Sequence, residues 1–283
     1  MANYEKQWSS ANPGLLIIML DQSGSMNNPY IDGESQASFA SKAVNKVISA
    51  IIDKNYHGDK PKDRCFIAVI GYATEAKLLK HGMLSEFAQQ PLKVEKIKKK
   101  VPDGTGGFIE VDNVPMPIWF EPEAGGVTNM AAAFKIAAQL INDYFKANSD
   151  SPAPVIINIS DGAPCIWNGT EAVLDLDETT KIAQSIMATS CEDGNVLIFN
   201  AHIEANGFNV QLPNDKNMLP NLDGAHFLFD ISSEIPEAYK KAAEKSNLTV
   251  KNGSKGCMIA CDAEGLVKLI DFGSSKGISD IKK

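Results

Sequence analysis

Short apolar runs alternate with amphipathic stretches along this chain, and no period repeats. Residues 15–20 form the longest uninterrupted apolar run and read as a first strand buried on both faces. After a loop, Phe39, Ala43, Val47, Ile48 and Ile51 recur at helical spacing, with Ser35 placed as the N-cap. Residues 65–70 give a second strand, and 75–79 a hairpin partner for it.

From 81 to 126 the pattern turns irregular, broken by Gly104, Gly106, Gly107, Pro115, Pro117 and Pro122. Proline at that density excludes a central strand, so this segment belongs at an edge or as a surface excursion. Met130, Ala133, Phe134, Ala137, Ile141 and Tyr144 then mark an amphipathic helix. Residues 155–159 predict a third buried strand, 182–187 part of a helix, 196–199 a fourth, parallel strand and 227–229 a last one. Beyond Ser246, a stripe of Ala263, Leu266, Val267 and Ile270 predicts a helical extension packed on the body. The alternation predicts one α/β domain over 1–283, a doubly wound, mostly parallel sheet with helices on both faces.

Charge and composition narrow the function. A formal charge of −8 argues against binding a phosphate backbone. The one basic cluster, Lys93, Lys96, Lys98, Lys99 and Lys100, reads as a solvated helix face beside Glu95. No run approaches the roughly 20 apolar residues a membrane span needs. The first run also lacks a basic flank and a cleavage site, so a cytoplasmic protein is expected. The five cysteines are odd in number and form no Cys-x-x-Cys pair, so neither a zinc knuckle nor a disulfide framework is indicated. His57, His81, His202 and His226 are isolated and read as loop or core residues.

In open parallel sheets, ligands sit beyond the carboxyl ends of the strands where the strand order reverses. Three stretches fall at such ends. Asp21-Gln22-Ser23-Gly24-Ser25 follows the first strand, Gly125-Gly126-Val127-Thr128 precedes the central helix, and Ser160-Asp161-Gly162 closes the third strand. They offer carboxylate and hydroxyl oxygens without imidazole or thiolate, a set that suits Mg²⁺, Mn²⁺ or Ca²⁺. Gly24 is expected to permit a tight curl that turns Asp21, Ser23 and Ser25 into one concavity. Each piece also has an innocent reading: an Asx-turn at Asp21, helix caps at Ser23, Ser25 and Thr128, and a turn at Asp161-Gly162. If they converge on one ion, Asp161 lies within about 8 Å of Ser23.

Asp-x-Ser-x-Ser, Gly-x-Thr and Ser-Asp-Gly, in this order and strand context, resemble the metal-ion-dependent adhesion site of von Willebrand factor A domains. The resemblance spans roughly 15–229. It implies an Mg²⁺ or Mn²⁺ ion held by Asp21, Ser23, Ser25, Thr128 and Asp161, and a non-enzymatic module that grips an acidic residue of a partner protein. A narrower likeness, to stand-alone bacterial A domains associated with tellurite resistance, rests on residues 117–122 and on 262–273. Val127, where that subgroup often has glycine, departs from it. The subgroup implies a phosphatase or kinase-like signalling protein as partner.

An enzyme reading compares Asp21 with the nucleophile of haloacid-dehalogenase-type phosphohydrolases. The second carboxylate which that chemistry requires is replaced by Ser23, and a hydroxyl cannot serve as acid and base at neutral pH. A third reading keeps the fold and drops the metal. Trp119 is expected either to anchor the irregular segment on the core or to border the metal face and touch the partner.

Overall fold

A computed structural model describes residues 4–31, 33–102, 108–148, 150–204 and 208–275. The main sheet has seven strands. Strand β1 (Gly14–Asp21) leads through a 3-10 turn to α1 (Gln36–Asn55), whose first turn is capped by the Ser35 hydroxyl accepting from Ser38 N at 3.2 Å. A two-residue hairpin, β2 (Tyr56–His57) and β3 (Lys60–Pro61), leads to β4 (Cys65–Tyr72) and its antiparallel partner β5 (Ala76–Met83). Helix α2 (Leu84–Gln89) and a two-stranded ribbon, β6 (Lys93–Pro102) and β7 (Phe108–Ile118), precede α3 (Met130–Ala147). Then come β8 (Val155–Ser160), the short hairpin β9 (Cys165–Trp167) and β10 (Ala172–Leu174), α4 (Leu176–Ala188) and β11 (Leu197–His202). The chain ends through β12 (Val210–Gln211), α5 (Asp223–Asp230), α6 (Lys240–Lys245), β13 (Cys257–Ile259) and α7 (Ala263–Ser275).

The strand order is β12-β13-β11-β8-β1-β4-β5, parallel throughout except for the two outermost strands. Strand order reverses between β1 and β8, because β1 continues to β4 on one side while β8 and β11 extend the other. Both faces are covered, which is why β1 is apolar without interruption. Leu16, Ile18 and Leu20 face the cluster under α1 and α7; Leu15, Ile17 and Met19 face the one under α3, α4 and α5.

A row of polar side chains crosses the second cluster. Tyr72 donates to Asn158 (2.8 Å), Asn158 to Asn200 (3.0 Å), Asn200 to Ser232 (2.9 Å) and Ser232 to the Leu228 carbonyl of α5 (2.7 Å), all buried. Each amide is satisfied, as its depth requires.

Three expectations need correction. The surface excursion expected within 81–126 lies outside the seven-stranded sheet, but its residues 93–102 and 108–118 are regular rather than broken: β6 and β7 pair antiparallel, with a register shift between Ile97 and Lys99. A two-stranded ribbon has two free edges, so Pro115 and Pro117 fit β7 without removing a sheet bond. The glycines at 104, 106 and 107 lie outside the described residues. Lys93, Lys96 and Lys98 therefore sit on a strand and not a helix face; Lys93 pairs with Glu95 and Glu121, both at 2.6 Å. Nothing is described of the Lys99 and Lys100 side chains.

Residues 227–229 belong to helix α5, with Ala225, Leu228 and Phe229 on its buried side. A three-residue apolar run does not distinguish strand from helix. The outer parallel strand is β13, too short to stand out in the sequence. Of the predicted tail stripe, Leu266 and Ile270 of α7 are buried and Val267 partly so, while the Ala263 side chain lies outside what is described; Leu269 and Phe272 complete the buried face, and the Phe272 ring stacks on Phe199 at 5.4 Å. Among the described residues no helix is long and apolar enough to cross a membrane.

Candidate metal centre

The three stretches singled out in the sequence meet where β1 and β8 end side by side. Asp21 closes β1 with its carboxylate buried; Oδ1 accepts from Ser23 N at 2.8 Å and Oδ2 from the Ser160 hydroxyl at 2.6 Å. The Asx-turn reading of Asp21 is thus correct for one oxygen, while the other is held by β8. Ser23 Oγ lies 3.1 Å from Ser25 Oγ, and Ser25 Oγ donates to Asp161 Oδ1 at 3.0 Å. Ser23 and Asp161 therefore both touch one hydroxyl, well inside the 8 Å limit that convergence demands.

The loop that carries Thr128 is bonded to the first loop by its backbone, and among the described residues no hydrogen bond of the Thr128 hydroxyl joins it to the other four side chains. Gly125 N donates to the Gln22 carbonyl at 2.8 Å and Gly24 N to the Gly126 carbonyl at 3.0 Å, which sews the second loop onto the first. Thr128 is buried, and its carbonyl accepts from Cys165 N at 3.0 Å. The cap of α3 is Asn129, whose side chain accepts from Ala132 N at 3.1 Å, so Thr128 is free of the capping role. Ser23 and Ser25 likewise make no side-chain cap bond to the 3-10 turn that follows.

Gly24 acts differently from expectation. It is not among the residues with positive φ; instead a Cβ there would come within 3.2 Å of the Gly126 carbonyl. Its value is close approach. Gly126 is the conformational glycine, at φ +74°, where a Cβ would also collide with Thr74 Oγ1 at 2.2 Å.

Electrostatics of the cluster are unbalanced. Burial first, and the neighbouring Asp161 second, push the Asp21 carboxyl up to about 7. Asp161 is also raised, chiefly by burial, against the hydrogen bond from Ser25. Among the described residues neither carboxylate has a lysine or arginine partner. A buried carboxylate and a half-buried one, joined by hydroxyls and lacking a cationic side-chain partner among the described residues, form an environment that a divalent cation would relieve. The donor set of Asp21, Ser23, Ser25, Thr128 and Asp161 fits a hard cation by its chemistry. Among the described residues no cluster of three or more His, Cys, Asp or Glu side chains has metal-binding proximity, so the site depends on hydroxyls.

Two contributors escaped the sequence reading. Ser160 stood inside the Ser-Asp-Gly motif, but only pairing of β8 with β1 brings its hydroxyl to Asp21. His202, at the end of β11, donates from Nε2 to the Asp161 carbonyl at 3.1 Å and is 3% exposed. Burial lowers its pKa, so its neutral form is favoured. No spacing in the sequence connects it to Asp161.

Trp119 anchors the core: Nε1 donates to the Phe87 carbonyl and its backbone N to Asn45 Oδ1, both at 2.8 Å. At 6% exposure it offers a partner almost nothing. The cysteines are all free; Cys65, Cys257 and Cys261 are buried, and Cys165 and Cys191 partly so.

No protein-family model matches the sequence. No curated protein matches it either. Among solved structures, the chain is similar to the pilus adhesin SpaC from Lactobacillus rhamnosus GG, with 14% identity and a TM-score of 0.52 over 94% of this chain and 31% of that one. It is also similar to a von Willebrand factor type A protein from Catenulispora acidiphila, with 13% identity and a TM-score of 0.45 over 94% and 43% of the two chains. BatB from Bacteroides thetaiotaomicron aligns at 12% identity and a TM-score of 0.39 over 77% and 85%. This chain spans less than half the length of the first two. Proteins with von Willebrand factor A domains are thus among its structural neighbours, and at these identities the likeness is one of fold.

Proposed function

We propose that this chain is a metal-dependent protein-binding module: Asp21, Ser23, Ser25, Thr128 and Asp161 hold Mg²⁺ or Mn²⁺, and the ion grips a carboxylate of a partner protein. The observation that carries this reading is the hydrogen-bonded chain Asp21–Ser23–Ser25–Asp161, which runs from the buried Asp21 and Ser23 out to the exposed Ser25 and the half-buried Asp161, two carboxylates joined by hydroxyls with no lysine or arginine paired to them among the described residues. When bound, the ion supplies a Lewis-acidic coordination position for an anionic oxygen. The protein supplies orientation. Ser160 and the Ser23 amide fix the Asp21 carboxylate, and the Gly24–Gly126 bond fixes the approach of the Thr128 loop. Neutral hydroxyls in the donor set leave the ion more of its charge for an outside ligand.

A binding role also accords with the sequence position of Ser23. A phosphohydrolase would need a carboxylate there to move a proton, and the hydroxyl hydrogen-bonded to Ser25 cannot do this at neutral pH. A pilus adhesin is among the proteins of similar fold.

The narrower assignment to tellurite-resistance-associated A domains, and with it a phosphatase or kinase-like signalling partner in the cytoplasm, belongs to this proposal. Its two motif stretches have structural tasks: Trp119 and Phe120 pin the ribbon base to Asn45 of α1, and Asp262 accepts from Gly265 N at 2.7 Å at the start of α7. The partner is therefore the part of the reading that most needs experiment.

Titration of the full chain with Mn²⁺ alone, followed by calorimetry, tests the metal. One equivalent is expected in the wild type and none in Ser23→Ala or Asp161→Ala proteins that still fold. Binding of candidate signalling proteins in Mg²⁺ and then in EDTA tests the grip. Equal affinity in both would refute it, and a melting temperature indifferent to Mg²⁺ and Mn²⁺ would favour a metal-independent module.

A further inference from the structure

Between the first two loops of the candidate centre and the turn from β4 to β5 lies a cleft of about 530 Å³. Gln22, Thr74, Glu75, Lys77, Glu123 and Gly125 line it. That volume is within the range of ligand pockets, roughly 300–1,000 Å³. Backbone bonds hold the walls in place. Gly125 N donates to the Gln22 carbonyl at 2.8 Å, Asn129 N to the Ala73 carbonyl at 2.9 Å and Val127 N to Thr74 Oγ1 at 3.4 Å. The cleft also adjoins the candidate centre directly, because Gln22 stands between Asp21 and Ser23 in the chain.

Gln22 is what points to a ligand. It is 8% exposed, and its carboxamide makes no hydrogen bond among the described residues. The carboxamide lies against Gly71, also of the lining, where a Cβ would collide with Oε1. A polar group so withdrawn from water is costly to leave unpaired, and a group entering the cleft would satisfy it. The rim sets the charge of that group. Glu75 and Glu123 are exposed on it, and neither forms an ion pair among the described residues. Lys77 is the single cation of the lining, so carboxylates outnumber it. Two carboxylates and an amide oxygen are acceptors that suit a guanidinium or ammonium group.

We propose that this cleft receives a basic side chain of the partner protein, close in sequence to the carboxylate that the ion grips. The inference rests on the metal-dependent reading above and adds to it what the partner must carry: an acid for the ion, and a base for Gln22, Glu75 and Glu123. Because Gln22 is one chain step from both Asp21 and Ser23, the two subsites are neighbours. An extended segment advances about 3.3 Å per residue, so the base falls within about three positions of the acid. A uniformly acidic segment would meet repulsion from a chain of formal charge −8.

The probe is a phage-displayed library of random peptides, panned on the immobilised full chain in Mg²⁺ and eluted with EDTA. Enrichment is expected for Asp or Glu with Lys or Arg within about three positions. The Glu75→Gln/Glu123→Gln protein, altered only at exposed positions, is expected to keep the acid and lose the base. By calorimetry it should bind the best wild-type peptide about tenfold more weakly, and Gln22→Met, close in shape, should weaken it several-fold. Asp53→Asn/Asp59→Asn makes the same change of charge at exposed positions in the last turn of α1 and in the hairpin after it, and is expected to behave as wild type. An acid enriched without a base overturns the proposal and leaves the metal grip standing. So does a basic preference that survives in the Glu75/Glu123 variant, or one lost equally in the Asp53/Asp59 variant. Unchanged affinity in the folded Gln22→Met protein overturns it as well. Peptides that lack an acid, or that stay bound in EDTA, overturn the grip and the cleft together.

Discussion

Asp21 would couple the proposed metal centre to pH. Its folded carboxyl titrates at about 7 and its unfolded counterpart at 3.8, so between these values the folded chain holds the extra proton. Stability in the absence of a cation therefore falls as pH rises across that window. Asp161 shifts in the same direction. His202, lowered by burial, opposes them, since its folded form resists the proton that the unfolded ring accepts below 6.5. A cation competes with the Asp21 proton, so the rise in melting temperature caused by Mg²⁺ should be small near about pH 5 and grow through about pH 8. Subtracting the metal-free melt at each pH removes much of the His202 contribution. Scanning fluorimetry of wild type and Asp21→Asn checks this; a Mg²⁺ effect that is flat with pH in the wild type would separate Asp21 from the ion.

At the scale of elements, α7 is the clearest case of a segment whose packing can be measured. Phe272 is fully buried, stacked on Phe199 and edge-on to Tyr239 at 5.6 Å. Phe272→Ala should cost roughly 3–5 kcal/mol, a value that urea denaturation reads directly, and removing everything after Lys251 should abolish cooperative melting. A truncated chain that melts like the full one would refute this role. Elements with long, periodic patterns were legible in the sequence, as β1, α1, β4, α3 and α7 demonstrate. The ribbon was not, because prolines that forbid a central strand are harmless on a free edge. Helix α5 and strand β13 exchanged roles because three apolar residues carry no period. At the candidate site, motif and strand context pointed to Asp21, Ser23, Ser25 and Asp161, which hydrogen bonds join, and to Thr128, whose loop is bonded to the first; the places of Ser160 and His202 could not be read there. Their place depends on which strands become neighbours, a property of topology that local sequence does not carry.

For the whole molecule, protection should follow the sheet from its centre outwards. β1 and β8 are flanked by parallel neighbours on both sides and covered on both faces, whereas β6 and β7 have only each other. The ribbon leaves Val94 and Ile109 exposed at 58% and 53%. Hydrogen exchange read by mass spectrometry should find amides of 93–102 exchanging long before those of 14–21 and 155–160. Ribbon amides as slow as those of β1 would mean that this surface is covered in solution.

The polar row from Tyr72 through Asn158 and Asn200 to Ser232 makes no side-chain hydrogen bond to the five proposed ligands, although Tyr72 is the β4 neighbour of Asp21, yet it guards where they end up. Asn158 and Asn200 lie directly opposite each other in the β8–β11 register, on the face under α3 and α5. Sliding β8 by one residue would turn the Asn158 amide into the apolar cluster on the far side and strand Tyr72 and Asn200 without partners. That same slip would carry Ser160 and Asp161 one step away from Asp21. The buried amides thus penalise the misalignment that would dismantle the site, a form of proofreading exercised during assembly of the sheet by residues with no part in binding.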